Sequence, residues 1–204
     1  MGAMKTRLLA LAVAVILPLA ACSTPDGASP APESSSPESS TTVQDDTALL
    51  ADFGLDGMDA REAIEHLDRL GGTERPAALM ASIRTHELVL TADGHETTLA
   101  MPTDSFYVSI APYIDQTHDC FFHSLTTCQG ELVEADVHIT VTDDATGETI
   151  LDEQTVTYAN GFVGLWLPRD ITGTLTVTHD GRSVEAPIST DADSATCLTT
   201  LQLV

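Results

Sequence analysis

Val133, Ala135, Val137, Ile139 and Val141 alternate with polar residues without a break. A period of two gives a strand with one wet face, and no helix can place those five side chains on one side. Similar runs recur along the chain from about Met80 onward, separated by turn residues. Glu87–Leu90 and Glu96–Met101 flank Asp93-Gly94, a hairpin signal, and Phe106–Ile110 reads as another strand. Thr142–Gly147 turns the chain into Glu148–Thr157, Asn160-Gly161 turns it into Phe162–Leu167, and Asp180-Gly181 separates Thr174–Thr178 from Ser183–Ile188. A last strand is expected at Leu198–Val204. Ahead of these, Thr47–Phe53 is expected to form a short helix ending at Gly54. Asp59 stands three before Glu62, a capping-box spacing, and precedes Ala63, Ile64, Leu67 and Leu70 at helical intervals up to Gly71-Gly72. The expected fold class is α+β, mostly β. Short N-terminal helices and a β-hairpin region occupy residues 46–115, and a small antiparallel β-sandwich-like region occupies residues 116–204.

The first 45 residues have a different character. Met1–Arg7 is short and basic, and Leu8–Ala20 is apolar but broken by Pro18, too short to span a bilayer. Leu19-Ala20-Ala21-Cys22 then has the pattern of a bacterial lipobox, so residues 1–21 are expected to be a lipoprotein signal peptide, with Cys22 lipidated. The following residues, 22–45, are rich in Ser and Pro with Val43 the only large apolar side chain, which predicts a disordered tether. That address puts the folded part on the outer face of the cytoplasmic membrane, anchored by acyl chains. The whole chain carries 8 basic and 31 acidic side chains, a formal charge of −23. Such a balance excludes a nucleic-acid-binding surface and attracts cations without choosing among them.

Most enzyme signatures are missing: no Gly-rich phosphate loop, nucleophile elbow, H-E-x-x-H or C-x-x-C. Asp191-Ala192-Asp193 and Asp143-Asp144 read as solvated turns. What carries chemistry is the segment 118–128, where His118, Cys120, His123 and Cys128 crowd together; with Cys22 set aside as the lipidated residue, the remaining thiol is Cys197. Three cysteines cannot all pair within one chain. Either one disulfide forms, Cys120–Cys128 or a bridge to Cys197, with a spare thiol, or all three stay reduced around a soft metal. Three thiolates suit Cu(I), which accepts low coordination, whereas structural zinc would need His118 or His123 as a fourth ligand. A thiol–disulfide reductase or isomerase acting through Cys120 or Cys128 is the competing enzyme reading. It is disfavoured by the acidic surroundings and the absence of Lys or Arg from Thr85 to Pro168. A disulfide-stabilised cell-envelope β-domain is a third.

Several separated blocks then carry a resemblance. Ala111-Pro112-Tyr113, Gln116-Thr117-His118, Cys120, His123-Ser124-Leu125, Cys128-Gln129-Gly130-Glu131, Asn160-Gly161-Phe162, Trp166-Leu167-Pro168-Arg169 and Cys197-Leu198-Thr199-Thr200-Leu201 resemble the CueP family of periplasmic or surface copper-binding proteins. The similarity runs over roughly residues 50–204. It implies that Cys120, Cys128 and Cys197 are the family's clustered copper-binding cysteines. It also implies a role in copper resistance, an extracytoplasmic superoxide dismutase as copper acceptor, and a homodimer formed through the N-terminal part. His118 and His123 are expected as auxiliary ligands and Cu(I) as the bound ion.

Overall fold

The computed structural model describes residues 38–204; the leader, Cys22 and most of the expected tether lie outside the described residues. Helix α1 (Glu38–Asp52) begins directly after Pro37, the last proline of the Ser/Pro-rich segment. It therefore starts earlier than the expected Thr47 and takes in the final residues assigned to the tether. Helix α2 (Ala60–Leu67) has the expected capping box: the Asp59 carboxylate accepts from the Glu62 N–H at 2.9 Å, and the Asp59 N–H donates to the Glu62 carboxylate at 3.0 Å. Its Ala60, Ala63, Ile64 and Leu67 are buried. A 3-10 turn (Gly72–Glu74) follows. No helix among the described residues is long and apolar enough to cross a membrane.

The strands form three sheets. β1 (Met80–Ile83), β2 (Glu87–Ala92) and β3 (His95–Ala100) pair antiparallel in that order, with Asp93-Gly94 as the β2–β3 turn. Both turn residues have positive φ, 50° and 79°, which is why a short polar residue and a glycine stand there. The second sheet has the order β10-β4-β7, from β4 (Ser105–Tyr113), β7 (Val163–Pro168) and β10 (Cys197–Gln202). The third has the order β6-β5-β8-β9, from β5 (Asp136–Asp143), β6 (Thr149–Val156), β8 (Thr172–His179) and β9 (Arg182–Ser189). The mostly-β α+β class expected from the sequence is the class observed.

Three details differ from expectation. β5 starts at Asp136 rather than Val133, because Glu134 takes a positive φ of 51° and interrupts the extended run. β10 lies parallel to β4, so the sandwich is not wholly antiparallel. Parallel neighbours come from chain segments far apart in sequence, which no local pattern encodes. And β4, N-terminal to the expected 115/116 boundary, is the central strand of the second sheet; the described residues, 38–204, lie in one compact unit.

The alternation along β4 explains how it can do this. Phe106, Val108 and Ile110 join Val137, Ile139, Val141, Leu165, Leu175, Val177 and others in the core between the second and third sheets. Tyr107, on the opposite face, packs into a core built from α1, α2 and the first sheet. Further along that face, Ser109 is buried and Ala111 joins Phe162 and Cys197 in a small third cluster, with Cys120 and Cys128 packed against it.

Candidate metal centre

Residues 114–135, between β4 and β5, contain no regular strand or helix, yet they are tied down along their length. The Glu131 carboxylate accepts from the backbone N–H groups of Ile114, Asp115 and Gln116, at 2.6 Å for Ile114. The backbone donors, Ile114 and Asp115 foremost, hold its carboxyl below the usual range against the opposing effect of burial. The segment 123–125 runs as a short extra partner of β1: Ile83 N–H donates to the His123 carbonyl at 2.8 Å, and Leu125 N–H to the Ala81 carbonyl at 2.9 Å. Cys128 N–H then turns back to the Ser124 carbonyl at 3.1 Å. The start of β10 is clamped to the same loop, since Thr196 and Cys197 both donate to the Phe121 carbonyl, at 3.0 and 3.2 Å. Where the loop passes the β6–β7 connection, Gly130 and Gly161 approach so closely that a Cβ on Gly130 would lie 2.3 Å from the Gly161 carbonyl oxygen. Both must be glycine.

These ties bring Cys120, Cys128 and Cys197 together. The Cys120 and Cys128 sulfurs are 3.5 Å apart, a contact and not a bond, and all three thiols are free. Two sets of ligand atoms each lie within 4.8 Å of one another: His118, Cys120 and Cys128, and His123, Cys128 and Cys197. All five sequence-identified residues are thus assembled, with Cys128 common to both sets. Cys22 lies outside the described residues. The Phe162 ring backs both histidines, with its centroid 4.6 Å from that of His123 and 6.2 Å from that of His118.

The two histidines differ. His123 is fully buried, and its Nε2 is 2.8 Å from Asp68 Oδ1, which leaves Nδ1 facing the Cys197 sulfur at 3.6 Å. Asp68 caps the C-terminus of α2 and also accepts from Tyr107 Oη at 2.6 Å, Ser109 Oγ at 3.0 Å and Asn160 Nδ2 at 2.9 Å. Burial alone would raise the Asp68 carboxyl and lower His123. Their mutual attraction and these hydrogen bonds win, so Asp68 is held below and His123 well above its ordinary value. Neighbouring Cys120 and Cys197 thiols, with His123 behind them, pull the Cys128 thiol below its usual range despite burial. The Cys197 thiol is pushed up, first by Cys120 and Cys128 and then by burial. His118 Nε2, in contrast, is buried with no hydrogen-bond partner.

Sequence reasoning missed Asp68, Tyr107, Ser109 and Arg75. The signal for Asp68 was there: it stands four residues after Ile64, on the apolar face of α2, where a solvated cap has no place. Arg75 precedes the stretch Thr85–Pro168 that carries no Lys or Arg. Its guanidinium donates through Nε to the Leu70 carbonyl at 3.0 Å. Burial pushes it down while the charges of Asp68 and Cys128 support it.

The donor set fits a soft metal ion. It offers three sulfurs, one buried imidazole nitrogen already oriented by a carboxylate, and one buried imidazole nitrogen without a partner. Comparison with known proteins agrees. A crystal structure of S.CueP superposes with a TM-score of 0.74 at 40% identity, covering 78% of this chain and 97% of that one. No curated protein matches the chain. The family model described as periplasmic copper-binding protein CueP matches residues 62–202, which contain Asp68, both histidines and all three thiols, so the chain belongs to the CueP family.

Proposed function

We propose that this chain is a lipid-anchored extracytoplasmic protein that holds Cu(I) on Cys120, Cys128 and Cys197, with His118 and His123 as further ligands. It buffers copper or passes it on by ligand exchange. The observation that carries the reading is the convergence of three free thiols, from a loop and from the distant start of β10, beside a histidine fixed by a buried carboxylate. Thiolates are soft donors matched to Cu(I). A ligating His123 would bind through Nδ1 while Nε2–H stays on Asp68, the carboxylate–histidine arrangement that orients metal-bound imidazoles. An extracytoplasmic superoxide dismutase is the acceptor that the family resemblance implies.

The test is a Cu(I) competition titration of the reduced protein. About one Cu(I) per chain is expected, and Cys197→Ser should weaken binding by more than the roughly 10–100-fold lost when a ligand's hydrogen-bonded partner is removed. Wild-type affinity in that variant would exclude the three-thiolate site. The lowered thiol of Cys128 favours a second reading, thiol–disulfide exchange through Cys120 and Cys128. The same variant separates the two, because exchange between that pair does not need Cys197. The anchor is tested apart: Cys22→Ser should release the protein from membranes, and unchanged membrane association would remove lipidation from the reading.

A further inference from the structure

The five donors fall into two overlapping groups rather than one, and the groups differ in depth. His118 and Cys120 are only partly buried, while His123 and Cys197 are shut off from solvent. The two histidines also differ in commitment. His123 has both ring nitrogens engaged, by Asp68 and by Cys197, and its backbone N–H donates to Thr196 Oγ1 at 3.0 Å, so its position belongs to the fold. His118 has a buried Nε2 that nothing in the protein satisfies. Leaving a buried polar atom without a hydrogen bond is costly, and a ring on a loop would avoid that by turning outward unless the position had a use.

Resting on the copper reading above, and refining it so that the three thiolates act in turn rather than all at once, we propose that the two trios are successive stations for one Cu(I) ion. His118, Cys120 and Cys128 form the uptake and release station. Cys128, Cys197 and His123 form the buried holding station, and Cys128 is the pivot that stays bonded throughout. In the transfer, the bonds from His118 and Cys120 break and those from Cys197 Sγ and His123 Nδ1 form. Cys120 regains the proton that Cys197 gives up, and the proton leaving His123 Nδ1 passes to the freed His118 imidazole, so the ion stays Cu(I) and neither electrons nor protons are gained or lost overall. A shared sulfur means the ion is never released into solvent between stations. The Cys120 side of the cluster is also the side that meets solvent: Cys120 leads into Phe121 and Phe122, 53% and 36% exposed.

The stations are separated by comparing uptake kinetics with equilibrium affinity. Reduced protein is mixed with the Cu(I)–bicinchoninate complex in a stopped-flow instrument, and affinity is measured by titration against the same chelator. His118→Ala should slow uptake by about tenfold and lose less affinity than Cys197→Ser. Cys197→Ser should lose the affinity and keep most of the uptake rate. X-ray absorption of Cu(I)-loaded Cys197→Ser should show an imidazole nitrogen and two sulfurs, the outer trio caught with its ion, and addition of His118→Ala should remove the nitrogen. A wild-type uptake rate in His118→Ala, or a sulfur-only site in Cys197→Ser, would overturn the two-station route while leaving copper binding intact. Failure of the wild-type protein to bind Cu(I) would overturn the copper reading itself.

Discussion

Four donors share the carboxylate of Asp68: Tyr107 and Ser109 at Oδ2, His123 and Asn160 at Oδ1. Only a carboxylate can serve them all, since it accepts at both oxygens. An asparagine there would point its NH2 either at Tyr107 and Ser109 or at Asn160 and His123, setting donor against donor on one side. Asp68→Asn is therefore expected to destabilise the fold by about 1–3 kcal/mol for each pairing lost. It should also weaken Cu(I) binding by about 10–100-fold, because Nε2–H no longer has the acceptor that fixes the imidazole. Urea midpoints and competition titrations measure the two effects; unchanged Cu(I) affinity would show that Asp68 does not orient a ligand. The place of Asp68 on the apolar face of α2 marks it as buried, but nothing local names its partners. Its charge belongs to the core only because the fold brings β4 and the β6–β7 turn onto it, and neither is near it in sequence.

At the scale of elements, what was legible is what is local. Asp59 and Glu62 announced the start of α2 three residues apart, and both hydrogen bonds of the box are made. Asp180-Gly181, like Asp93-Gly94, has positive φ at both positions, so these dipeptides marked real hairpins. Asp143 builds its turn by accepting from the Ala145 and Thr146 N–H groups, each at 2.8 Å, as its reading as a turn residue required. Illegible were the parallel partner of β4 and the path of residues 114–135, whose bonds go to β1, to the start of β10 and to the β6–β7 turn. Pairings of that kind have no period. The resemblance, not the periodicity, indicated that Cys197 would join the other two thiols. The loop's anchors make a test. Glu131→Gln weakens three backbone hydrogen bonds to an ionised acceptor, and amide exchange at Ile114–Gln116 should accelerate. Since the folded-state carboxyl is lowered, the wild-type protection is present above the ordinary carboxylate pKa and is lost as pH falls through the folded value. Exchange rates of these amides, measured across the acid range in both proteins, should converge at low pH; equal protection at neutral pH would mean that Glu131 does not hold the loop.

For the whole molecule, the strand that matters most is β4. One of its faces closes the sandwich through Phe106, Val108 and Ile110, and the other supplies Tyr107 to the helical core, Ser109 to Asp68 and Ala111 to the thiol cluster. No cut between residues 115 and 116 leaves either part with a complete core. The N-terminal piece would carry β4 without its paired neighbours β7 and β10 and without the third sheet that covers its apolar face. The C-terminal piece would hold all three thiols without Asp68, without the β1 edge that orders residues 123–125, and without the central strand of their sheet. Residues 46–115 and 116–204 made separately are therefore expected to stay unfolded, and residues 38–204 to unfold in one transition. Trp166 is a suitable probe, because it packs on the helical core, with its ring centroid 4.7 Å from that of Tyr107 and the Arg61 guanidinium 3.8 Å above it, while it sits on a strand of the sandwich. Its fluorescence and the far-ultraviolet circular dichroism should follow the same urea curve, as a two-state unit requires. Val108→Ala, which opens a cavity only on the sandwich side, should move both curves by an equal amount, about 1–3 kcal/mol. Adding Cu(I) to the reduced protein should shift both back together, since an ion that binds only the folded state stabilises the entire cooperative unit. Two separate transitions, or a folded 116–204 fragment with wild-type Cu(I) affinity, would mean that the metal centre is organised by the sandwich alone and that the helical region is an appendage.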